Sequence, residues 1–130
     1  MEEVYEFIKK CGTYFLATID GDQPRIRPFG TIHIFEGKLY IQTGLSKPVA
    51  RQIMAGKKVA LCSFNGQEWV RVAATAVYDD RVEAQDSMLS EYPKLRAMYT
   101  PGDGNTAVFY LTDAQAIFCS YKTSPRIVTF

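Results

Sequence analysis

The 130-residue chain has one tryptophan, one histidine and three cysteines, and its charges nearly cancel, at +1. Each scarcity removes a class of function. One histidine, His33, and cysteines as scattered as Cys11, Cys62 and Cys119 offer no metal-ligand spacing, so no zinc site is expected. The cysteines are odd in number, far apart and flanked by apolar residues, and they read as reduced thiols. A near-zero net charge gives no broad field for a nucleic acid, so an anion must be met by a local cluster of cations. No apolar run approaches a membrane span. The start, MEEVYEFIKK, is acidic and too poor in apolar residues for a secretory leader. These readings predict a cytoplasmic protein without nucleic-acid or membrane partners. No linker, repeat or low-complexity tract appears, so residues 1–130 are expected to form one domain.

What is present is mainly β texture. Val4, Phe7, Ile8 and Cys11 recur at helical spacing and predict a short amphipathic helix ended by Gly12. TYFLATI, RIRPFGTIHIF and KLYIQT read as three strands joined by the turns DGDQP and EGK. A helix follows from about Ser46 to Ala55, stopped by Gly56. KKVALCSF and EWVRVAATAVY, joined by NGQ, predict a hairpin of two long strands. DRVEAQDSMLSEYPKLRAMY is helical and broken at Pro93, TPGDGN is a loop, and TAVFYLTDAQAIFCSY is one or two strands with a bend at TD. The tail KTSPRIVTF is extended. Strict βαβ alternation is absent, so the pattern predicts a small antiparallel barrel with peripheral helices.

Three stretches carry chemistry. In TGLSKPVARQI a strand hands over to a helix through Ser46, Lys47 and Pro48. Ser46 suits an N-cap and Pro48 a first turn, which would make the stretch an ordinary helix start. Lys47 goes further, because a cation is unfavourable at the positive end of a helix unless an anion sits beside it. In PRIRPFG, strand alternation puts Arg25, Arg27 and Phe29 on one face, while Ile26 joins Ile32 and Ile34 on the core side. Two arginines beside an aromatic ring suit a phosphorylated ligand with a flat apolar body; the alternative is a solvated edge strand. In QEWVRV, Trp69 is either packing, within the chain or at a dimer contact, or a wall against a planar ring. His33, amid TIHIF, reads as structural. No nucleophile stands beside a recognisable base, and no catalytic residue is assigned.

FLATIDGDQPRIRPFG, GKLYIQTGLSKPVARQIMAGKKVALCSF and EWVRVAATAVYDD, in this order and spacing, resemble the pyridoxamine 5′-phosphate oxidase-like family of FMN-binding split barrels. The resemblance is strongest over residues 1–82 and to the short bacterial, nitroimidazole-resistance-like members. It implies a six-stranded antiparallel Greek-key split barrel and a homodimer with FMN held at the interface. By the same resemblance, Arg27, Ser46 and Lys47 would hold the FMN phosphate. Pro28, Phe29 and Gly30 would line the isoalloxazine ring, with Gln42 and Thr43 at the end of the third strand. A residue at or near Trp69 would come from the partner subunit. Arg25 joins this set from strand alternation alone. Pro48 stands where the family carries a second basic residue. No histidine follows His33, which departs from the true pyridoxamine phosphate oxidases. The expected activity is therefore an FMN-dependent oxidoreductase acting on another small molecule. A non-catalytic binder of flavin, deazaflavin F420 or haem, and a barrel without cofactor, remain as alternatives.

Overall fold

The computed structural model describes residues 1–130. Helix α1 (Glu2–Cys11) leads into β1 (Tyr14–Asp20), β2 (Gln23–Phe29), β3 (His33–Phe35) and β4 (Lys38–Gly44). Then come α2 (Pro48–Gly56), β5 (Lys58–Phe64), β6 (Glu68–Asp79) and α3 (Val82–Glu91). A 3-10 turn at Pro93–Ala97 precedes β7 (Thr106–Ser120) and β8 (Arg126–Thr129). All eight strands form one antiparallel sheet in the order β2-β1-β5-β6-β7-β4-β3, with β8 on β7.

The inner face of this sheet is the core. Leu16, Ile41, Val72, Phe109 and Ala116 pack there, closed by Val4 and Ile8 from α1 and by Val49 and Ile53 from α2. The helical spacing that singles out Val4 and Ile8 is thus the spacing that buries them. Gly12 ends α1 with φ of 84°, and its amide caps Ile8 O. The β3–β4 turn places Glu36 and Gly37 at φ of 49° and 73°, the mirror-image geometry that a tight hairpin needs. No helix is long and apolar enough to cross a membrane.

Four expectations need correction. RIRPFGTIHIF is not one strand: β2 pairs with β1, whereas β3 pairs with β4. The chain crosses between them at Gly30–Ile32; this split and the pairing of the tail as β8 give the sheet eight strands rather than six. Ile26 is therefore not on the core side. It points outward at 70% exposure, while Ile32 is buried, because alternation cannot be carried across a crossing. Ser46 is not the N-cap of α2. Lys47 takes that place in extended conformation (φ −83°, ψ 147°) without a side-chain cap, because a residue before proline is driven out of the helical region. Gly56 is the last helical residue rather than the stop; Lys57 adopts the left-handed turn, at φ of 61°.

The long β7 is a single strand that bends at Asp113, φ 49°. There the β6–β7 register shifts between Ala73 and Thr75. The bulged Ala114 exchanges two backbone hydrogen bonds with Phe130, which ties down the end of the chain.

Candidate functional site

The crossing at Gly30–Ile32 is held from three sides. Tyr14 Oη donates to Thr31 O at 2.6 Å. Thr31 Oγ1 bonds both the amide and the carbonyl of Gln42. Tyr92 Oη accepts from Ile32 N and donates to Ile32 O. A cleft of about 180 Å³ opens beside this crossing. Pro28, Phe29, Gly30 and Thr31 form one wall and Gln42 and Thr43 its floor. Leu95, Met98 and Tyr99, from the turn after α3, form the opposite wall, and Lys47 stands at its rim.

Gln42 is the informative residue. It is buried, at 5% exposure, and its Oε1 has no hydrogen-bond partner. An unpaired buried carbonyl costs about 1–3 kcal/mol, so Gln42, which lines the cleft, carries an oxygen that the chain itself leaves without a donor. The cleft lining holds no aspartate, glutamate, histidine or cysteine. It can bind and orient, but it has no carboxylate, imidazole or thiolate for acid–base or nucleophilic work.

Positive charge gathers at one end. Arg27 is half-buried, and its guanidinium donates to Leu16 O (3.1 Å), Thr18 Oγ1 (2.8 Å) and Gln52 Oε1 (2.7 Å). These are neutral acceptors; no carboxylate pairs with it. Burial, and then the neighbouring Arg25, lower its pKa from the usual value. Gln52 lies midway along α2 and also accepts from Thr18 Oγ1, so Arg27 is fixed to the body of that helix. Lys47 and Arg27 are absent from the ion pairs of the chain.

The structure thus brings together Pro28, Phe29, Gly30, Gln42, Thr43 and Lys47 in one cleft. Ser46 and Pro48 lie at the start of α2, and Arg27 bonds to Gln52 midway along it. Arg25 is set apart: it is exposed and paired with Asp20 at 3.3 Å on the β1–β2 hairpin. Trp69 packs between Phe64 and Tyr121, with ring centroids 6.1 and 5.1 Å away, and does not line the cleft of its own chain. Leu95, Met98, Tyr99 and Gln52 were not legible as site residues. Only the position of Gln52, four residues after Pro48 and so one helical turn along, could have pointed to it.

Other features lie elsewhere. A larger cleft of about 540 Å³ runs between α1 and the β7–β8 end, but of its cations Lys10 and Arg126 the second is already paired with Glu3, and none of the predicted site residues line it. His33 is half-buried, with Ser87 Oγ 2.7 Å from Nε2 and Glu91 3.9 Å from Nδ1. At the far end of β6 the Arg81 guanidinium holds the Asp79 carboxyl down to about 2, while burial and Asp79 push the Tyr40 phenol up to about 12. Asp103 sits well below the usual carboxylate range, because the amides of Thr100, Thr106 and Asn105 donate to it.

The family model for pyridoxamine 5′-phosphate oxidase matches residues 1–119. The chain belongs to the pyridoxamine 5′-phosphate oxidase family. Among solved structures, a NimC/NimA family protein from Clostridium acetobutylicum is 37% identical, with a TM-score of 0.96, covering all of this chain and 92% of that one. The General Stress Protein 26 from Bacillus anthracis is 15% identical (TM-score 0.74), covering 98% of this chain and 99% of that one. A haem-binding protein from Mycobacterium smegmatis is 11% identical (TM-score 0.69), covering 96% of this chain and 56% of that one. No curated protein matches. The eight-stranded sheet is thus the split barrel of this family.

The outer face of β1, β2, β5, β6 and β7 is apolar and uncovered. Phe15, Ile19, Phe64 and Ile127 are each at least half exposed along with Ile26. An apolar hollow of about 310 Å³ lies among Phe15, Ile26, Ala60, Cys62 and Ile117. Pro28 points to this face and also lines the cleft, so the two surfaces are continuous.

Proposed function

We propose that this chain binds FMN at the interface of a homodimer and acts as an FMN-dependent oxidoreductase on a small molecule. The observation that carries the reading is the orphaned Gln42 Oε1 in a cleft whose rim carries a cation without an acidic partner. A ring with an N–H donor and an anionic tail answers both, and FMN has both. Lys47, Arg27 and Ser46 would take the phosphate at the start of α2, where the helix macrodipole adds to the attraction. Gln42 would accept from the ring, and Pro28, Phe29 and Gly30 would line it.

The dimer follows from size. Cofactor sites usually measure about 300–1,000 Å³. A cleft of about 180 Å³ takes part of a flavin. The apolar outer face continuous with the cleft would bring a second copy to supply the rest, and Trp69 is the residue we expect it to offer. FMN supplies hydride and single-electron chemistry once bound. The chain's own part is to orient the ring, hold its phosphate and exclude water with Leu95, Met98 and Tyr99. The one histidine is engaged with Ser87 and Glu91 and lies outside the cleft, so a haem there would have only Met98 or Tyr99 as a protein ligand, whereas an unpaired cation and a buried acceptor suit flavin. The three cysteines are free thiols, in keeping with a reducing cytoplasm.

The test is the visible spectrum of the purified protein, then titration of stripped protein with FMN. Saturable binding near one FMN per chain is expected. Arg27→Ala and Lys47→Glu should each weaken binding by about tenfold or more, as loss of a charge-assisted bond implies. A protein that ignores FMN would overturn the reading. Flavin binding without turnover by any donor–acceptor pair would leave a non-catalytic flavoprotein.

A further inference from the structure

The loop TPGDGN between the 3-10 turn and β7 takes no part in the reading above, yet it is tightly built. The Asp103 carboxylate accepts from Thr100 N at 2.9 Å, Asn105 N at 2.8 Å and Thr106 N at 2.7 Å. Gly102 N donates to Oε1 of the buried Gln85 on α3, at 2.8 Å, which anchors the loop to the body of the protein. Asp103 therefore organises the loop and Gln85 fastens it.

This rigid loop ends on the anion loop. Asn105 O accepts from Leu45 N at 2.7 Å, and Asn105 Oδ1 accepts from Ser46 N at 3.0 Å. The remaining restraints on Leu45–Lys47 are weaker or internal: Lys47 N bonds back to Gly44 O, and Arg51 Nη1 reaches Ser46 O at 3.3 Å. Contact is close on the other side as well. A Cβ on Gly44 would stand 3.0 Å from Tyr99 Oη and 3.3 Å from Asn105 Nδ2, so the side chains of Tyr99 and Asn105 press directly on the Gly44 backbone.

We infer that Asn105 is a positioning residue: it holds the Leu45–Lys47 loop in the one arrangement that presents Ser46 and Lys47 to a phosphate, and so sets the preference for a phosphorylated over an unphosphorylated flavin. This rests on the FMN reading. Asn105 itself need not touch the ligand. Its two bonds occupy the Leu45 and Ser46 amides and leave the Ser46 hydroxyl and the Lys47 ammonium without protein partners. A loop released from Asn105 would sample other conformations, and the anion would then have to order it on binding.

The ratio of riboflavin Kd to FMN Kd, measured on stripped full-length protein, isolates the phosphate. Wild type should favour FMN. Asn105→Ala keeps the backbone bond to Leu45 N and removes the side-chain bond to Ser46 N; it should lower that ratio up to about tenfold, the effect of losing that one loop-ordering bond, with riboflavin affinity unchanged. Asp103→Asn keeps an acceptor for the Asn105 and Thr106 amides, holds the fold, and should lower the ratio about threefold by releasing Thr100. A merely structural role would weaken both flavins together or lower only the melting temperature. A wild-type preference that persists unchanged in whichever variants fold overturns the role of Asn105 and leaves the FMN reading intact. Wild type without any preference for FMN overturns both.

Discussion

Gln42 carries an unpaired oxygen inside the protein, and that single atom makes a two-sided prediction. Gln42→Met keeps the volume and removes the unsatisfied carbonyl, so the cofactor-free protein should melt higher, by a margin equivalent to about 1 kcal/mol. The same variant should bind FMN more weakly. Calorimetry of stripped protein alongside a flavin titration reads both; a variant that is destabilised and still binds normally would remove Gln42 from the site. Asp79 makes a prediction about acid. Its carboxyl lies near 2 in the folded chain against 3.8 when free, so its contribution is complete above about pH 4 and disappears as pH falls toward 2. That difference corresponds to about 2 kcal/mol at neutral pH. The gap in stability between wild type and Asp79→Asn should therefore be widest at pH 7 and narrow steadily below pH 4, measured by urea unfolding across pH. A gap independent of pH would mean that Arg81 does not hold Asp79 as the distances of 3.0–3.3 Å indicate.

Elements were legible where one local rule decided them. The apolar repeat of α1, the Glu36-Gly37 turn and the break at Pro93 each follow from residues within one turn of chain. The failures came where two rules met. Ser46 looked like a cap, but Pro48 restricts the residue before it and so transferred the cap to Lys47. The arginine face of β2 was read correctly, yet Ile26 was sent to the core because the partner of each half of RIRPFGTIHIF is decided by strands far away in the chain. The candidate cleft was legible on its β side, through Pro28–Gly30 and Gln42–Thr43. Its opposite wall was not, since nothing local links Leu95, Met98 and Tyr99 to a strand sixty residues earlier. Lys57 offers a test at this scale. It closes α2 in a left-handed conformation that costs a side chain about 1 kcal/mol, so Lys57→Gly should raise stability by about 0.5–1 kcal/mol, read as a higher denaturant midpoint with unchanged slope. A lower midpoint would show that the Lys57 side chain contributes more than its backbone costs.

At the scale of the whole molecule, the core faces one way and a second apolar surface faces the other. That outer face is what a partner copy would cover, and Ile26 is its most exposed aliphatic residue. Ile26→Glu places a charge there without touching the core, so it should give a folded monomer by light scattering. On the proposed reading, in which a second copy completes the cleft, this monomer should also lose FMN. A flavin-loaded monomer would separate the site from the interface.

The two prolines of β2 have a consequence of a different kind. β2 stands at the end of the strand order, and Pro24 and Pro28 pair with Ile19 and Phe15. A proline cannot donate to its neighbour, so these positions are those whose nitrogen turns to the open side. Of the three residues with that orientation, only Ile26 keeps an N–H. The β2 border is thereby weakened as a template: an incoming strand would find two of its three backbone donors missing. So much oily surface on the flank is thus bordered on the β2 side by a strand that recruits others poorly, which limits growth by association through that edge.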